Sequence, residues 1–122
     1  MKLYYDRHVC RNKVKSKRGA LIKNSHGNQV YKYMWGASEF SATGSLKNYN
    51  KVSQLEKIDC PTLFICGEHD EARPKTAKQY AKTIPDADFV EIKNDSHAIL
   101  AEKQSKLIKT IRHFVTRIDI NK

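Results

Sequence analysis

The stretches FICGEHDE at residues 64–71 and NDSH at residues 94–97 decide the fold of this 122-residue chain. The first joins an apolar run to a polar turn that bears Asp70, and a run that is apolar on both faces predicts a buried parallel strand. Pro74 then starts a helix at a position where its missing N–H costs nothing, and residues 88–93 form a second strand. Strand, helix and strand at this spacing predict a parallel unit with a helical crossover.

Polar side chains that carry chemistry follow both predicted strands. Asp70 comes directly after the first strand and His97 directly after the second. Ligands of such sheets bind beyond the carboxyl ends of the strands, so we expect the two side chains within hydrogen-bond reach at one edge. An acid and then a histidine in this order are the last two members of the Ser–Asp–His triad of α/β-hydrolases. The Gly-x-Ser-x-Gly elbow of the nucleophile does not occur in the sequence. The chain is therefore predicted to be the C-terminal part of an α/β-hydrolase fold.

The flanking segments contain helical patterns. The helix after Pro74 has apolar residues at i, i+3, i+4 and i+7, which gives it one buried face: Ala77, Tyr80, Ala81 and Ile84. A similar stripe predicts one long amphipathic helix from Leu100 to Ile118. The spacing of Val52, Leu55 and Ile58 indicates one or two helical turns before the first strand.

Composition excludes some settings and leaves one alternative open. The net charge is +10, but nine of the basic residues and only one acidic residue lie in residues 1–33, so the excess is mainly N-terminal. Such a segment contacts phosphates in some proteins, whereas a solvated helix face or a disordered arm is the commoner case.

No run approaches the roughly 18 apolar residues of a membrane span, and we expect no membrane partner. Three cysteines cannot all pair, which favours reduced thiols and a cytoplasmic location. Cys66 and His69 lack further zinc ligands, so we expect neither a metal nor a cofactor.

Five motifs resemble those of the proline iminopeptidase (prolyl aminopeptidase) family, serine peptidases with an α/β-hydrolase fold. They are MWGASEF at 34–40, TGSLK at 43–47, PTL at 61–63, GEHDE at 67–71 followed by Pro74, and SH at 96–97. A shorter match, HVCR at 8–11, resembles part of the family's helical cap. The resemblance implies the last two parallel strands and flanking helices of the hydrolase core in residues 51–122. It implies the end of a helical cap domain, with a basic N-terminal segment, in residues 1–50.

The resemblance also implies an activity and roles for individual residues. A serine attacks the carbonyl of an N-terminal proline, His97 acts as the general base, and Asp70 holds the imidazole in the useful tautomer. Glu39 and Glu71 would hold the free α-amino group of the substrate, and Trp35 is a candidate for the substrate pocket. The implied partners are a peptide with an N-terminal proline and a separate N-terminal half of the same enzyme.

Without a nucleophile, the chain alone is predicted to be inactive. Two alternatives remain open at the level of the sequence. One is a truncated α/β-hydrolase of esterase or amidase type, which would have the same Asp70–His97 pair but no amine site. The other is a non-catalytic remnant whose residues 1–33 bind nucleic acid in a salt-sensitive manner, although a nucleic-acid partner is not expected.

Overall fold

The computed structural model describes residues 2–11 and 27–120. These residues form two compact units, one of residues 2–11 with 54–120 and the other of residues 27–53. Residues 12–26, which contain most of the predicted basic segment, lie outside the described residues. The assignment of residues 1–50 to a cap remnant stays a prediction, and within it the described residues 2–11 belong to the unit that contains the sheet.

The sheet has the predicted parallel topology. Strand β1 spans Thr62–Gly67 and strand β2 spans Ala87–Ile92, and the strands pair in register from Thr62 opposite Ala87. Helix α3, Pro74–Thr83, connects them and begins with the proline at its first turn. The βαβ unit and the two parallel strands with flanking helices are therefore confirmed.

The core of this unit lies between the sheet and its helices. Among the residues that the structure describes, five apolar ones are buried in it: Cys66, Ala81, Ile84, Ile92 and Ile99. Residues 62–65 are only half-buried, although the sequence predicts a fully buried strand. The reason is that, among the described residues, the sheet has two strands and β1 has a strand neighbour on one side only.

Short helical elements precede the sheet. Helix α1, Lys2–Tyr4, continues into a π-helical turn at Tyr5–Val9, which Cys10 N–H closes by donating to the carbonyl of Tyr5 at 3.0 Å. A 3₁₀ helix covers Val52–Lys57, in agreement with apolar spacing of three, because a 3₁₀ helix has three residues per turn.

The C-terminal helix differs from its prediction. Instead of one helix from Leu100, the structure has helix α4 at Ile99–Glu102 and helix α5 at Gln104–Ile120, with non-helical Lys103 between them. Glu102 turns back to accept hydrogen bonds from Ser96, which holds the first turn on the loop after β2. Within residues 2–11 and 27–120, no helix combines the length and apolar character needed to cross a membrane.

The second unit contains helix α2, Gly27–Trp35, and the loop that follows it. Gly36 ends the helix with a φ of 84°, a conformation that glycine adopts without strain. The carbonyl of Trp35 then accepts hydrogen bonds from the N–H groups of Thr43 and Gly44 at 2.8 and 3.2 Å. The loop is thus closed onto the end of the helix.

Candidate active site

Asp70 is held in place by the turn that follows β1. Its Oδ2 accepts a hydrogen bond from Gly67 N–H at 3.2 Å, and its Oδ1 accepts one from Ala72 N–H at 2.8 Å. The residue is 6% exposed. Each carboxylate oxygen accepts a backbone N–H, so the turn fixes the orientation of the Asp70 carboxylate.

His97 contacts the Asp70 carboxylate through Nδ1, the nitrogen by which the histidine of a Ser–His–Asp triad contacts its acid. Its Nδ1 lies 2.9 Å from Asp70 Oδ1. Because ionised Asp70 only accepts hydrogen bonds, the contact favours the tautomer with the proton on Nδ1. The His97 side chain is 53% exposed. The structure therefore brings together the two residues that chain order predicts as acid and base.

Glu71 approaches the other nitrogen of the same imidazole. Its Oε1 lies 3.8 Å from His97 Nε2. Glu71 also lines an open, mainly apolar cavity of about 410 Å³ beside β1, together with Phe64, Arg73 and Tyr80. A cation bound to Glu71 would thus lie near the nitrogen of His97 that is available to exchange a proton.

Glu39 and Trp35 lie in the other compact unit. The exposed carboxylate of Glu39 accepts a hydrogen bond from the hydroxyl of Tyr31, and Glu39 N–H donates to the same phenol oxygen at 3.1 Å. Trp35 is half-buried at the end of α2. The proposed convergence of Glu39 with Glu71, and a substrate contact by Trp35, stay predictions.

The turns that carry Asp70 and His97 are interlocked through their backbones. His69 N–H donates to the carbonyl of Asp95 at 2.9 Å. A Cβ on Gly67 would lie 2.5 Å from the carbonyl oxygen of Ser96, so only glycine allows the His97 loop to cross here. Asn94 has a φ of 57°, and its N–H donates to Glu68 at 2.9 Å, which lowers the pKa of that carboxyl.

Two groups close to the site, the hydroxyl of Ser96 and the thiol of Cys66, do not have the properties of a nucleophile. Ser96 is completely buried, and its Oγ donates to Glu102 Oε2 at 2.7 Å. Cys66 is 2% exposed, and burial raises the pKa of its thiol to about 11. Since the thiolate is the reactive form, this cysteine is inert at neutral pH.

Asp95 is an unusual buried acid beside the site. It is completely buried, and its two carboxylate oxygens have no hydrogen-bond donor among the described residues. Burial, together with the neighbouring Glu102, raises the pKa of Asp95 to about 6. Protonated Asp95 can donate to Glu102, whereas ionised Asp95 places a negative charge beside that of Glu102.

We expect Asp95→Asn to stabilise the chain at neutral pH by about 3 kcal/mol, since each tenfold change in a proton-binding equilibrium corresponds to about 1.4 kcal/mol. A carboxyl group whose pKa is raised in the folded state lowers stability as pH increases from its unfolded value, 3.8, to about 6. The gain should therefore be small at pH 4 and complete at pH 7.5, as measured by urea denaturation. Asp119→Asn, at an exposed position of α5, is the control. A difference that is equal at both pH values would contradict the assignment.

The N-terminal segment is the part of the site that sequence reasoning missed. His97 N–H donates to the carbonyl of His8 at 3.0 Å, and Ala98 N–H donates to the carbonyl of Val9 at 2.7 Å. The only signal in the sequence was the HVCR match at 8–11, which by itself gave no role to His8.

Comparison with solved structures defines the class of protein. The crystal structure of VinJ superposes with a TM-score of 0.77, covering 95% of this chain and 40% of that one at 32% identity. Together with the parallel strands and the Asp70–His97 pair, this similarity makes the chain part of an α/β-hydrolase fold.

The family follows from two further matches. The crystal structure of proline iminopeptidase from Mycobacterium smegmatis superposes with a TM-score of 0.87, at 30% identity over 98% of this chain and 41% of that one. The proline iminopeptidase of Heyndrickxia coagulans is 36% identical over 89 residues, which are 73% of this chain and 31% of the relative. No family model matches the sequence. The chain belongs to the proline iminopeptidase family and spans about a third of the length of this curated relative.

Proposed function

We propose that the chain supplies the acid, the general base and the two amine-binding carboxylates of a proline iminopeptidase active site. The observation that carries this proposal is the 2.9 Å contact between Asp70 Oδ1 and His97 Nδ1. In this arrangement Nε2 of His97 is left as the basic nitrogen, with Glu71 beside it.

The roles follow from the chemistry of a serine triad. His97 Nε2 takes the proton of the serine hydroxyl as this attacks the carbonyl carbon, and later gives the proton to the leaving amine. Asp70 stays ionised and stabilises the imidazolium, because its oxygens are held by the N–H groups of Gly67 and Ala72. The serine and the oxyanion donors come from outside these 122 residues.

Selectivity for a free N-terminus is assigned to Glu71 and Glu39. A carboxylate pairs with the ammonium group of a peptide's first residue, and it has no such partner at an internal peptide bond. The 3.8 Å separation between Glu71 Oε1 and His97 Nε2 would keep the ammonium close to the reacting carbonyl. An α/β-hydrolase of other specificity would not need either carboxylate.

The edge of β1 that has no strand neighbour among the described residues is the proposed docking site for the half that holds the nucleophile. Its apolar cavity includes Phe64, Ile65 and Tyr80, and an exposed apolar strand edge is a template for pairing with another chain. A separate N-terminal half of the enzyme would extend the sheet here.

A chimera tests the proposal. The matched 41% of the M. smegmatis proline iminopeptidase is replaced by all 122 residues of this chain. We expect hydrolysis of proline β-naphthylamide at least about 100-fold above background, because the donor supplies the serine and oxyanion hole. Acetylation of the proline nitrogen should remove most of this activity, since it removes the ammonium.

Two controls make the outcome decisive. Replacement of the donor's elbow serine by alanine should abolish the activity, which excludes a contaminating enzyme. A folded chimera that hydrolyses acetyl-proline naphthylamide as fast as the free form would favour an α/β-hydrolase of other specificity. A folded chimera without any serine-dependent hydrolysis would refute the proposed function.

A further inference from the structure

We infer that residues 8–11 form a strap that positions the Asp70–His97 pair, and that His8 is its main positioning residue. The strap, defined as His8 to Arg11, hydrogen-bonds to both turns that follow the strands. The inference rests on the catalytic role proposed above for the pair.

His8 by itself hydrogen-bonds to both turns, the one that bears Asp70 and the one that bears His97. Its Nδ1 lies 2.8 Å from the carbonyl oxygen of His69, directly before Asp70. Its own carbonyl accepts the N–H of His97 at 3.0 Å. Because a carbonyl only accepts hydrogen bonds, the first contact requires the proton of His8 on Nδ1. The turn that bears Asp70 and the backbone of His97 thus both hydrogen-bond to His8.

The rest of the strap fixes the backbone on both sides of the base. Ala98 N–H donates to the carbonyl of Val9 at 2.7 Å, and Arg11 N–H donates to Ser96 Oγ at 3.3 Å. The residue before His97, His97 itself and the residue after it each contact the strap. The loop cannot move relative to the turn of Asp70 without breaking either these hydrogen bonds or the contact between His8 and His69.

The local conformation of the N-terminal segment places the strap beside the loop that bears His97. The π-helical turn at Tyr5–Val9 ends in extended backbone at Cys10, with φ of −149° and ψ of 101°. This extended exit lets residues 8–11 run beside residues 96–98. The Tyr4 ring lies 5.0 Å from the His8 ring, centroid to centroid, and packs behind it. π-helical turns are rare and are often found at functional sites.

The consequence is a positioning effect on catalysis. Displacement of a catalytic group by about 1 Å can cost a factor of about 100 in rate. Loss of the His8 side chain would free the acid turn from the strap, while the two strands and the core below them keep their contacts. We therefore expect a selective change at the pair without unfolding.

Imidazole NMR of the full 122-residue chain tests the inference without requiring activity. The wild type should show His97 with a downfield, exchange-protected proton on Nδ1. His8→Leu should speed exchange of this proton at least tenfold, whereas the amide shifts of β1 and β2 stay unchanged. His8→Asn should restore protection, because its amide can donate to the carbonyl of His69. His113→Leu, at an exposed position of α5, is the matched control and should have no effect.

The same variants in the chimera give a kinetic readout. We expect kcat to fall 10- to 100-fold in His8→Leu with KM nearly unchanged, and His8→Asn to recover most of it. The inference would be overturned if the His97 Nδ1 proton exchanged at the wild-type rate in His8→Leu. It would also be overturned if His8→Leu and His8→Asn lost kcat to the same extent. An inactive chimera together with the predicted NMR pattern would refute the proposed function and leave the strap intact.

Discussion

Asp70→Asn in the chimera is expected to reduce kcat/KM for proline β-naphthylamide by about 10⁴-fold, as loss of a triad acid does. The reason is the choice of tautomer. The amide of asparagine can donate to His97 Nδ1, which moves the imidazole proton to Nε2 and removes the basic nitrogen that faces the serine. The position of the side chain should be preserved, because asparagine matches aspartate in shape and, with its amide NH2 facing His97, keeps its oxygen for the Gly67 N–H that Asp70 Oδ2 accepts.

The matched control for this substitution is Asp86→Asn. Asp86 is exposed before β2, and its backbone carbonyl accepts the N–H of Thr62 at 2.9 Å, so removal of its charge should leave the rate within about twofold. Steady-state kinetics with matched circular dichroism spectra compares the variants. More than a tenth of the original activity in Asp70→Asn would contradict the role of Asp70 as the triad acid.

The second large effect concerns the 122-residue chain by itself, which should hydrolyse proline β-naphthylamide no faster than the buffer. Removal of the serine of a triad costs about as much as removal of the whole triad. The described candidates cannot replace it, since Ser96 is buried and hydrogen-bonded and the thiol of Cys66 is protonated at neutral pH.

The same prediction can be tested by complementation, in which a second chain supplies the missing serine. Addition of the separately expressed N-terminal part of the M. smegmatis enzyme should produce activity that saturates with its concentration. Bovine serum albumin at equal concentration serves as the control for non-specific stabilisation. Turnover by the chain alone that is blocked by a serine-directed inhibitor would contradict the prediction, because it would require a nucleophilic serine outside any Gly-x-Ser-x-Gly elbow.

The sequence by itself was enough to predict the βαβ unit and the placement of Asp70 and His97. These features depend on local signals: an apolar run of strand length, a proline at the first turn of α3, and turns directly after each strand. The parallel pairing then follows from the length of the connection, and it brings the ends of both strands to one edge. The burial of Ala81 and Ile84 follows from helical periodicity in the same way.

Only the tertiary structure decided how Asp70 and His97 are held. Arg11 and Ser96 are 85 residues apart in sequence but hydrogen-bonded, and no periodic pattern reports a contact between a loop and a distant N-terminal segment. The break at Lys103, the close approach over Gly67 and the buried charge of Asp95 have the same origin. Each arises where the loop after β2 packs against another part of the chain. Local propensity describes a segment alone, whereas these features depend on which groups a neighbouring segment brings within hydrogen-bond or van der Waals distance.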